Sequence, residues 1–252
     1  MRSPESPEFF ATNIQRYDVS QTERLPHDLP TSKSDAYCVT TDDGQAWVRK
    51  GDLIDPWSTV SEIIAWRLAT IMQIAIPQGA LLSDDGDIIW MSKYMIGAQH
   101  WDPNHAIHLC DPAQIGLVMA FDLVICNGDR HHRNLLMADR DEGGVDLWAI
   151  DHDAAQLPDF RYWDSDRALR LPVAPSAGLH VLDNVPRGMF DEVCREAAAR
   201  ISGTPEFLIT QALEASFADA GKPYDENLDR VLRERLENLC AMMDKCLQGV
   251  YR

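Results

Sequence analysis

Apolar and polar positions follow different patterns in the two parts of the chain. Residues 45–50 alternate in the manner of a half-buried strand, and short apolar runs within residues 79–91 flank the turn sequence Ser83-Asp84-Asp85-Gly86. A period of two indicates strands, and a Gly-containing turn between two such runs indicates a hairpin. A helix is predicted over residues 59–73, where apolar residues cover most of the helix surface. The first part of the chain is therefore predicted to form strands around one helix.

Helical patterns dominate after about residue 93. Helices are predicted over residues 112–126, 186–201, 204–220 and 225–248, and residues 135–150 predict a second hairpin around a Gly-containing turn. One face of the last helix carries a stripe typical of core packing, formed by Leu228, Val231, Leu232, Leu236, Leu239, Met242, Met243 and Leu247. We expect an α+β chain with a disordered segment at residues 1–12, a small β-rich lobe over residues 13–92 and a larger, mainly helical lobe over residues 93–252.

Three polar side chains are expected at one end of the second hairpin. A hairpin places the residue before its first strand beside the residue after its second, so Asn134 and Asp151 should be neighbours, with Asp129 just upstream. An Asp five residues before an Asn is the spacing of a kinase catalytic loop, in which the Asp accepts a proton and the Asn binds Mg²⁺. Asp151 would be the second metal ligand. The ordinary alternative is that these residues form turns and a helix cap.

Lys50 and Glu62 are the upstream candidates for nucleotide binding. Lys50 ends the predicted strand over residues 45–50 and is one of only five lysines in the chain. It would hold the α- and β-phosphates of a nucleotide, and a solvated lysine at a strand end is the ordinary alternative. Two interpretations of Glu62 stay open. It pairs with Lys50, or it forms a capping box with Thr59 at the start of the predicted helix.

The motifs occur in the order found in one known family. The sequence has Val48-Arg49-Lys50, the Glu62 helix followed by Ile76-Pro77, an apolar run leading into Asp129-Arg130-His131, then Asn134, and finally Trp148-Ala149-Ile150-Asp151-His152. In this order the chain resembles the HipA-like kinases, a bacterial branch of the protein-kinase-like fold that is also similar to phosphatidylinositol kinases. The resemblance spans most of the chain and implies a two-lobed kinase-like fold that uses ATP and Mg²⁺. It also implies a Lys50–Glu62 ion pair, Asp129 as the base, and Asn134 and Asp151 as metal ligands.

The sequence departs from the kinase pattern ahead of Lys50. No G-x-G-x-x-G sequence precedes this lysine, so a glycine-rich phosphate lid is not expected. HipA-like proteins have a short serine-containing phosphate loop in this place, which the resemblance assigns to Ser32, Lys33 and Ser34. A polar turn before a strand is the ordinary alternative. Because some family members are regulated by autophosphorylation of a loop serine, Ser32 and Ser34 are candidates for such a switch.

The resemblance and the local charge suggest further contacts. Met91 and Tyr94 fall where a hinge between lobes would meet adenine. Residues 159–184 occupy the place of an activation segment that binds substrate, although an ordinary surface loop is equally compatible. Positive charge near ATP is expected from Lys50, Arg130, His131, His132 and Arg133.

Composition excludes several classes of function. The net charge of −17 and the pI near 4.7 argue against direct binding of nucleic acid, which needs a basic face. Six cysteines without a C-x-x-C pair indicate buried thiols rather than a disulfide framework or a zinc site. The amino end lacks an apolar leader, and no run of 18 apolar residues follows, so we expect no membrane association and a cytoplasmic location.

The sequence therefore predicts ATP- and magnesium-dependent phosphorylation of a hydroxyl, on Ser or Thr of a protein substrate. Some members of the family are toxins, so a regulatory or antitoxin partner would be expected if this chain were one of them. Three alternatives stay open: a lipid or small-molecule kinase of the same fold, a nucleotide-binding pseudokinase, and a metal-dependent phosphohydrolase. The last would use the cluster Asp129, His131, His132, Asp151, His152 and Asp153.

Overall fold

The structure, a computed structural model, describes residues 14–28, 36–49, 56–102, 109, 111–140, 143–172 and 187–250. The chain divides into two units by its internal contacts. The first unit comprises residues 1–53 and 78–93, and the second comprises residues 54–77 and 94–252. Among the described residues, no helix is long and apolar enough to cross a membrane.

The first unit is built on a mixed β-sheet. Its described strands are β1 (Gln15–Asp18), β2 (Thr22–Asp28), β3 (Tyr37–Thr41), β4 (Ala46–Arg49), β5 (Gly79–Asp84) and β6 (Asp87–Lys93). They are arranged in the order β1-β5-β6-β4-β3-β2, with β1 parallel to β5 and the other neighbours antiparallel. Trp47, Leu82 and Met91 are fully buried on this sheet. The predicted strands and the first hairpin are present.

The turn between β5 and β6 follows from its sequence. Asp85 has φ 48° and Gly86 has φ 92°, so both central residues adopt the left-handed conformation that a tight two-residue hairpin turn requires. Asp and Gly are among the residues that tolerate this conformation best. The register that results pairs Leu81 with Trp90 and Leu82 with Ile89.

The second unit is mainly helical. Its described helices are α1 (Pro56–Ile71), α2 (Ala113–Ile125), α3 (Ser165–Ala168), α4 (Arg187–Ser202), α5 (Glu206–Asp219), α6 (Glu226–Glu237) and α7 (Leu239–Val250). A small sheet accompanies them, in the order β7 (Gln99–His100), β8 (Leu135–Asp139) and β9 (Val145–Ala149). With one β-rich and one mainly helical unit, the α+β fold class predicted from the sequence is confirmed.

Helix α1 packs within the second unit, although the sequence placed it among the strands of the first lobe. Val60, Ile64 and Leu68 belong to the core of the helical unit. The segment after α1 is also bound there, because the Ala149 N–H of β9 donates to the carbonyl of Ala75 at 2.9 Å. The lobe boundaries at residues 12 and 92 stay predictions.

Helix α2 forms the centre of this core and leads into the candidate site. All residues from Ile115 to Ile125 are buried. The helix ends at Cys126, whose φ of 53° is left-handed. Arg235 of α6, which is fully buried, donates to the carbonyls of Leu123 and Val124 at this end. Burial lowers the pKa of Arg235 to about 10. The helix end is thus held in place just ahead of Asp129.

Two expectations about the helices and the cysteines need correction. The helix predicted over residues 225–248 is divided at Asn238, whose side-chain amide donates to the carbonyl of Glu234 at 2.8 Å and caps α6. The apolar stripe continues across the break, so the pattern alone did not reveal it.

The described cysteines are not all buried either, because Cys240 is exposed, whereas Cys38, Cys126, Cys194 and Cys246 are buried. Burial raises the pKa of the Cys246 thiol to about 11.

Candidate functional site

The base of the β8–β9 hairpin brings the predicted metal-ligand positions together. Leu135 pairs with Ala149, and the Ile150 N–H donates to the carbonyl of Asn134 at 3.1 Å. Asp151 follows Ile150 and has a φ of 61°, in the left-handed region that costs energy for a residue other than glycine. Such strained positions are found disproportionately in active sites. Asp151 therefore lies one residue after the main-chain bond that joins Ile150 to Asn134.

Asn134 is oriented by a bond to the loop before it. Its side chain is buried at the end of a 3₁₀ turn formed by His132–Asn134, and its Nδ2 donates to the carbonyl of Asp129 at 2.9 Å. This bond uses the amide nitrogen. The amide oxygen is therefore the atom with the chemistry of a magnesium ligand.

Asp129 is the most exposed member of the group. Its side chain is 62% exposed, and its Oδ2 lies 3.8 Å from Nε2 of His131. The main chain beneath it is anchored, because the Asp129 N–H donates to Oδ1 of Asn127 at 3.1 Å and Asn127 Nδ2 donates to Asp122 at 3.2 Å. A carboxylate on a fixed backbone that remains open to solvent can accept a proton from an incoming hydroxyl.

Basic side chains gather beside Asp129. The rings of His131 and His132 lie 5.9 Å apart, and the Arg133 N–H donates to Nδ1 of His131 at 3.2 Å. His100 of β7 lies close enough to these basic side chains for their charges to change its pKa. Burial lowers the pKa of His100, the Arg133 main chain opposes this, and the charges of His132, Arg133 and His131 lower the pKa further. Exposed basic groups are therefore present next to the proposed base.

Arg130 does not contribute to this exposed charge, contrary to the expectation from the sequence. Its guanidinium is only 3% exposed and forms a bidentate ion pair with Asp122 of α2, at 2.8 and 2.9 Å. Burial alone would lower the pKa of Arg130, but the carboxylates of Asp122, Asp151 and Glu62 outweigh it and raise the pKa. The arginine is therefore paired inside the protein, with a carboxylate of α2.

Glu62 contacts the segment next to Asp151. Its Oε1 accepts from the His152 N–H at 3.1 Å, and its Oε2 lies 3.5 Å from His152 Nδ1. His152 is itself buried, with its ring 5.7 Å from that of Phe121. Because α1 begins at Pro56, Thr59 and Glu62 lie inside the helix, so the capping-box interpretation is wrong.

The other predicted nucleotide contacts lie outside the described residues or on the strand β6 and just after it. Lys50, Ser32, Lys33 and Ser34 lie outside the described residues, so the Lys50–Glu62 pair and the phosphate loop stay predictions. Met91 is fully buried in β6, and Tyr94, just after β6, is 38% exposed. Their contact with adenine likewise stays a prediction.

Sequence analysis assigned no role to Asp122 and Asn127, and it named His152 only as part of the alternative phosphohydrolase cluster. In the structure these residues bind Arg130, the Asp129 main chain and Glu62 respectively. A signal for Asp122 was available in the sequence. It is the single charged residue within the apolar helix α2, and a buried carboxylate requires a partner.

The proposed metal ligands, Asn134 and Asp151, offer oxygen atoms, which Mg²⁺ prefers. Within the described parts of the chain, no three His, Cys, Asp or Glu side chains are gathered as a metal-binding group. The magnesium set predicted here is smaller, one carboxylate and one amide, with phosphate oxygens and water completing the shell.

Comparison with known proteins supports the fold. No protein-family model matches the chain, and no curated protein matches it in sequence. The structure is similar to that of the proinflammatory kinase CtkA of Helicobacter pylori, with a TM-score of 0.62 and 12% identity, over 94% of this chain and 99% of that one. The HipA toxin of Shewanella oneidensis, solved with HipB and operator DNA, matches with a TM-score of 0.46 and 12% identity, over 98% and 69%. The kinase-like fold expected from the sequence resemblance is confirmed.

Proposed function

We propose that this protein is an ATP- and Mg²⁺-dependent kinase that phosphorylates Ser or Thr hydroxyls of a protein substrate. The observation that carries the proposal is the hairpin base. There the Asn134 carbonyl accepts from the Ile150 N–H, the Asn134 amide binds the Asp129 main chain, and Asp151 follows directly. These are the three residue types of a phosphoryl-transfer site, on a kinase-like fold.

Asp129 is proposed as the base. It accepts the proton of the acceptor hydroxyl while the hydroxyl oxygen bonds to the γ-phosphorus and the bond from that phosphorus to the β–γ bridging oxygen breaks, releasing ADP. Asn134 and Asp151 are the proposed ligands of Mg²⁺, which neutralises charge on the phosphates when bound. His131, beside Asp129, is proposed to contact the phosphates.

Roles outside the hairpin rest on the sequence resemblance. Lys50 is proposed to hold the α- and β-phosphates, and Glu62 to orient Lys50. Ser32, Lys33 and Ser34 are the proposed phosphate loop, with one serine as a site of autophosphorylation. Met91 and Tyr94 are proposed to lie against adenine. A regulatory, antitoxin-like partner is proposed on the same basis.

The test is phosphate transfer by purified protein from γ-labelled ATP with Mg²⁺, to itself and to lysate proteins. We expect labelling by the wild type and a loss of roughly 100-fold to 10,000-fold for Asp129→Asn, as for removal of a general base. Asp151→Asn should abolish labelling with little change in thermal stability. The matched control is Asp139→Asn, an exposed carboxylate on the same hairpin, which should label like the wild type.

Different outcomes separate the alternatives. Equal labelling by wild type, Asp129→Asn and Asp151→Asn would refute the assignment of these residues. Nucleotide binding without labelling under any metal would indicate a pseudokinase, and labelling of lipid or small-molecule fractions alone would indicate a different acceptor. Manganese-dependent release of phosphate from simple esters, lost in His132→Ala, would indicate a phosphohydrolase.

A further inference from the structure

One guanidinium nitrogen of Arg130 bridges the two ends of the β8–β9 hairpin. Nη1 donates to the carbonyl of Asn134 at 2.6 Å and to the carbonyl of Ile150 at 2.7 Å. The first carbonyl belongs to one proposed metal ligand, and the second belongs to the residue immediately before the other. The same two residues are joined by the Ile150 N–H bond to the Asn134 carbonyl.

The opposite edge of the guanidinium is fixed to helix α2. Nε donates to Oδ2 of Asp122 at 2.8 Å, and Nη2 donates to Oδ1 at 2.9 Å. Oδ1 of Asp122 also accepts from Asn127 Nδ2, and Asn127 Oδ1 accepts from the Asp129 N–H. The buried Arg130–Asp122 ion pair therefore connects three main-chain segments: the one at the proposed base, Asp129, and those at the proposed metal ligands, Asn134 and Asp151.

The geometry requires an arginine. The two N–H groups of Nη1 serve two carbonyls while Nε and Nη2 serve the carboxylate, so a rigid planar fork makes four bonds in two directions. A lysine ammonium is a single point of charge with no such fork, so it cannot hold the carboxylate and both carbonyls in this arrangement. Both partners are at least 95% buried, so water does not readily replace a lost bond.

We propose that Arg130 is a positioning residue for the metal site. By holding the carbonyls of Asn134 and Ile150 at a set separation, it presents the Asn134 amide and the Asp151 carboxylate to the same ion. Arg130 itself touches neither the ion nor the nucleotide. The inference rests on the proposed function, because it assigns to Asn134 and Asp151 the metal that function requires.

A second ion pair of the helical unit provides the matched control. Arg67 of α1, which is 8% exposed, binds the partly buried Asp219 of α5, so this pair joins two helices rather than the two ends of the hairpin. Arg67→Lys should disturb packing as Arg130→Lys does. Only Arg130→Lys should change the metal site.

The experiment measures Mn²⁺ affinity by electron paramagnetic resonance on the full chain, in the presence of a non-hydrolysable ATP analogue. We expect Arg130→Lys to weaken Mn²⁺ binding roughly 10-fold to 100-fold, the range for residues that orient metal ligands. Hydrogen exchange at the Ile150 amide should become faster in the same variant. Arg67→Lys should lower the melting temperature while leaving both the Mn²⁺ affinity and the Ile150 exchange rate unchanged.

Asp122→Asn is the milder variant and decides the matter if Arg130→Lys does not fold. It retains Arg130 and its bonds to both carbonyls but loses the charge that holds the guanidinium, so Mn²⁺ affinity should fall several-fold. Mn²⁺ affinities within twofold of the Arg67→Lys value in every folded variant would overturn the positioning role. Absence of Mn²⁺ and nucleotide binding by the wild type would instead overturn the proposed function, and this inference with it.

Discussion

Glu62 illustrates how one side chain connects distant parts of the second unit. Its carboxylate receives the His152 N–H across 90 residues of sequence and lies beside the His152 ring. Because His152 follows Asp151, α1 restrains the segment that carries a proposed metal ligand.

Removing the Glu62 carboxylate should destabilise the fold. Glu62→Ala leaves the buried His152 N–H without its acceptor, which costs about 1 to 3 kcal/mol of the free energy of unfolding. Glu62→Gln keeps an oxygen in place and should retain most of the stability. Denaturant unfolding followed by circular dichroism measures both values.

The control for this substitution is Glu192→Ala, an exposed glutamate on α4. A surface change of this kind should alter the free energy of unfolding by no more than about 0.5 kcal/mol. Equal stability of Glu62→Ala and Glu192→Ala would show that the bond to His152 contributes nothing.

At the scale of elements, the close packing of α2 against α4 supports the end of α2 that enters the site. Gly116 allows this approach, because an added Cβ would lie 2.2 Å from the carbonyl oxygen of Val193 on α4. The neighbouring contacts are apolar and buried, including Ile115 and Cys194. The position of α2 therefore depends on the absence of a side chain at one residue.

Gly116→Ala should lower the free energy of unfolding by about 1 to 3 kcal/mol, the usual cost of overpacking, although alanine favours helix formation. The matched control is Gly188→Ala on α4, where nothing lies within 4 Å of an added Cβ. That change should be neutral or stabilise by up to about 1 kcal/mol. Thermal or denaturant unfolding compares the two, and a Gly116→Ala protein as stable as Gly188→Ala would disprove the close approach.

Elements differ in how well the sequence predicts them. Both hairpins were expected, because their turns contain residues suited to positive φ and their strands alternate or form short apolar runs. The division between α6 and α7 was not expected. The apolar stripe has the same period on both sides of Asn238. The hydrogen bond by which the Asn238 side chain caps α6 does not alter that period, so the pattern does not show where α6 ends.

At the scale of the whole molecule, net charge dominates interactions with polyanions. The chain carries 40 acidic and 23 basic residues, excluding His. Described arginines such as Arg67, Arg130 and Arg195 are paired with carboxylates. The exposed basic groups near Asp129 therefore stand against a strongly negative background, which repels nucleic acid at long range.

We predict no binding of random-sequence duplex DNA at physiological salt, with a dissociation constant weaker than about 10⁻⁴ M, the weak end of ordinary non-specific affinities. Fluorescence anisotropy of a labelled duplex at two salt concentrations measures this. An anisotropy rise in the micromolar range that disappears at higher salt would contradict the prediction. Loss of that anisotropy rise in the Arg133→Ala variant would show that the basic side chains near Asp129 outweigh the net charge in binding DNA.

Local sequence by itself determined strand β4, the two hairpins, the approximate bounds of most helices and the spacing from Asp129 to Asn134, because these depend on periodicity and turn chemistry within a few residues. It did not reveal β1, β2 or β7. Tertiary structure alone decided the partners of the buried charges. Arg130 was expected near the nucleotide, yet it forms a buried ion pair with Asp122. Glu62 contacts His152. A buried ion needs a counter-charge nearby, and packing decides which residue supplies it. The pattern of apolar and polar residues along the sequence does not identify that residue.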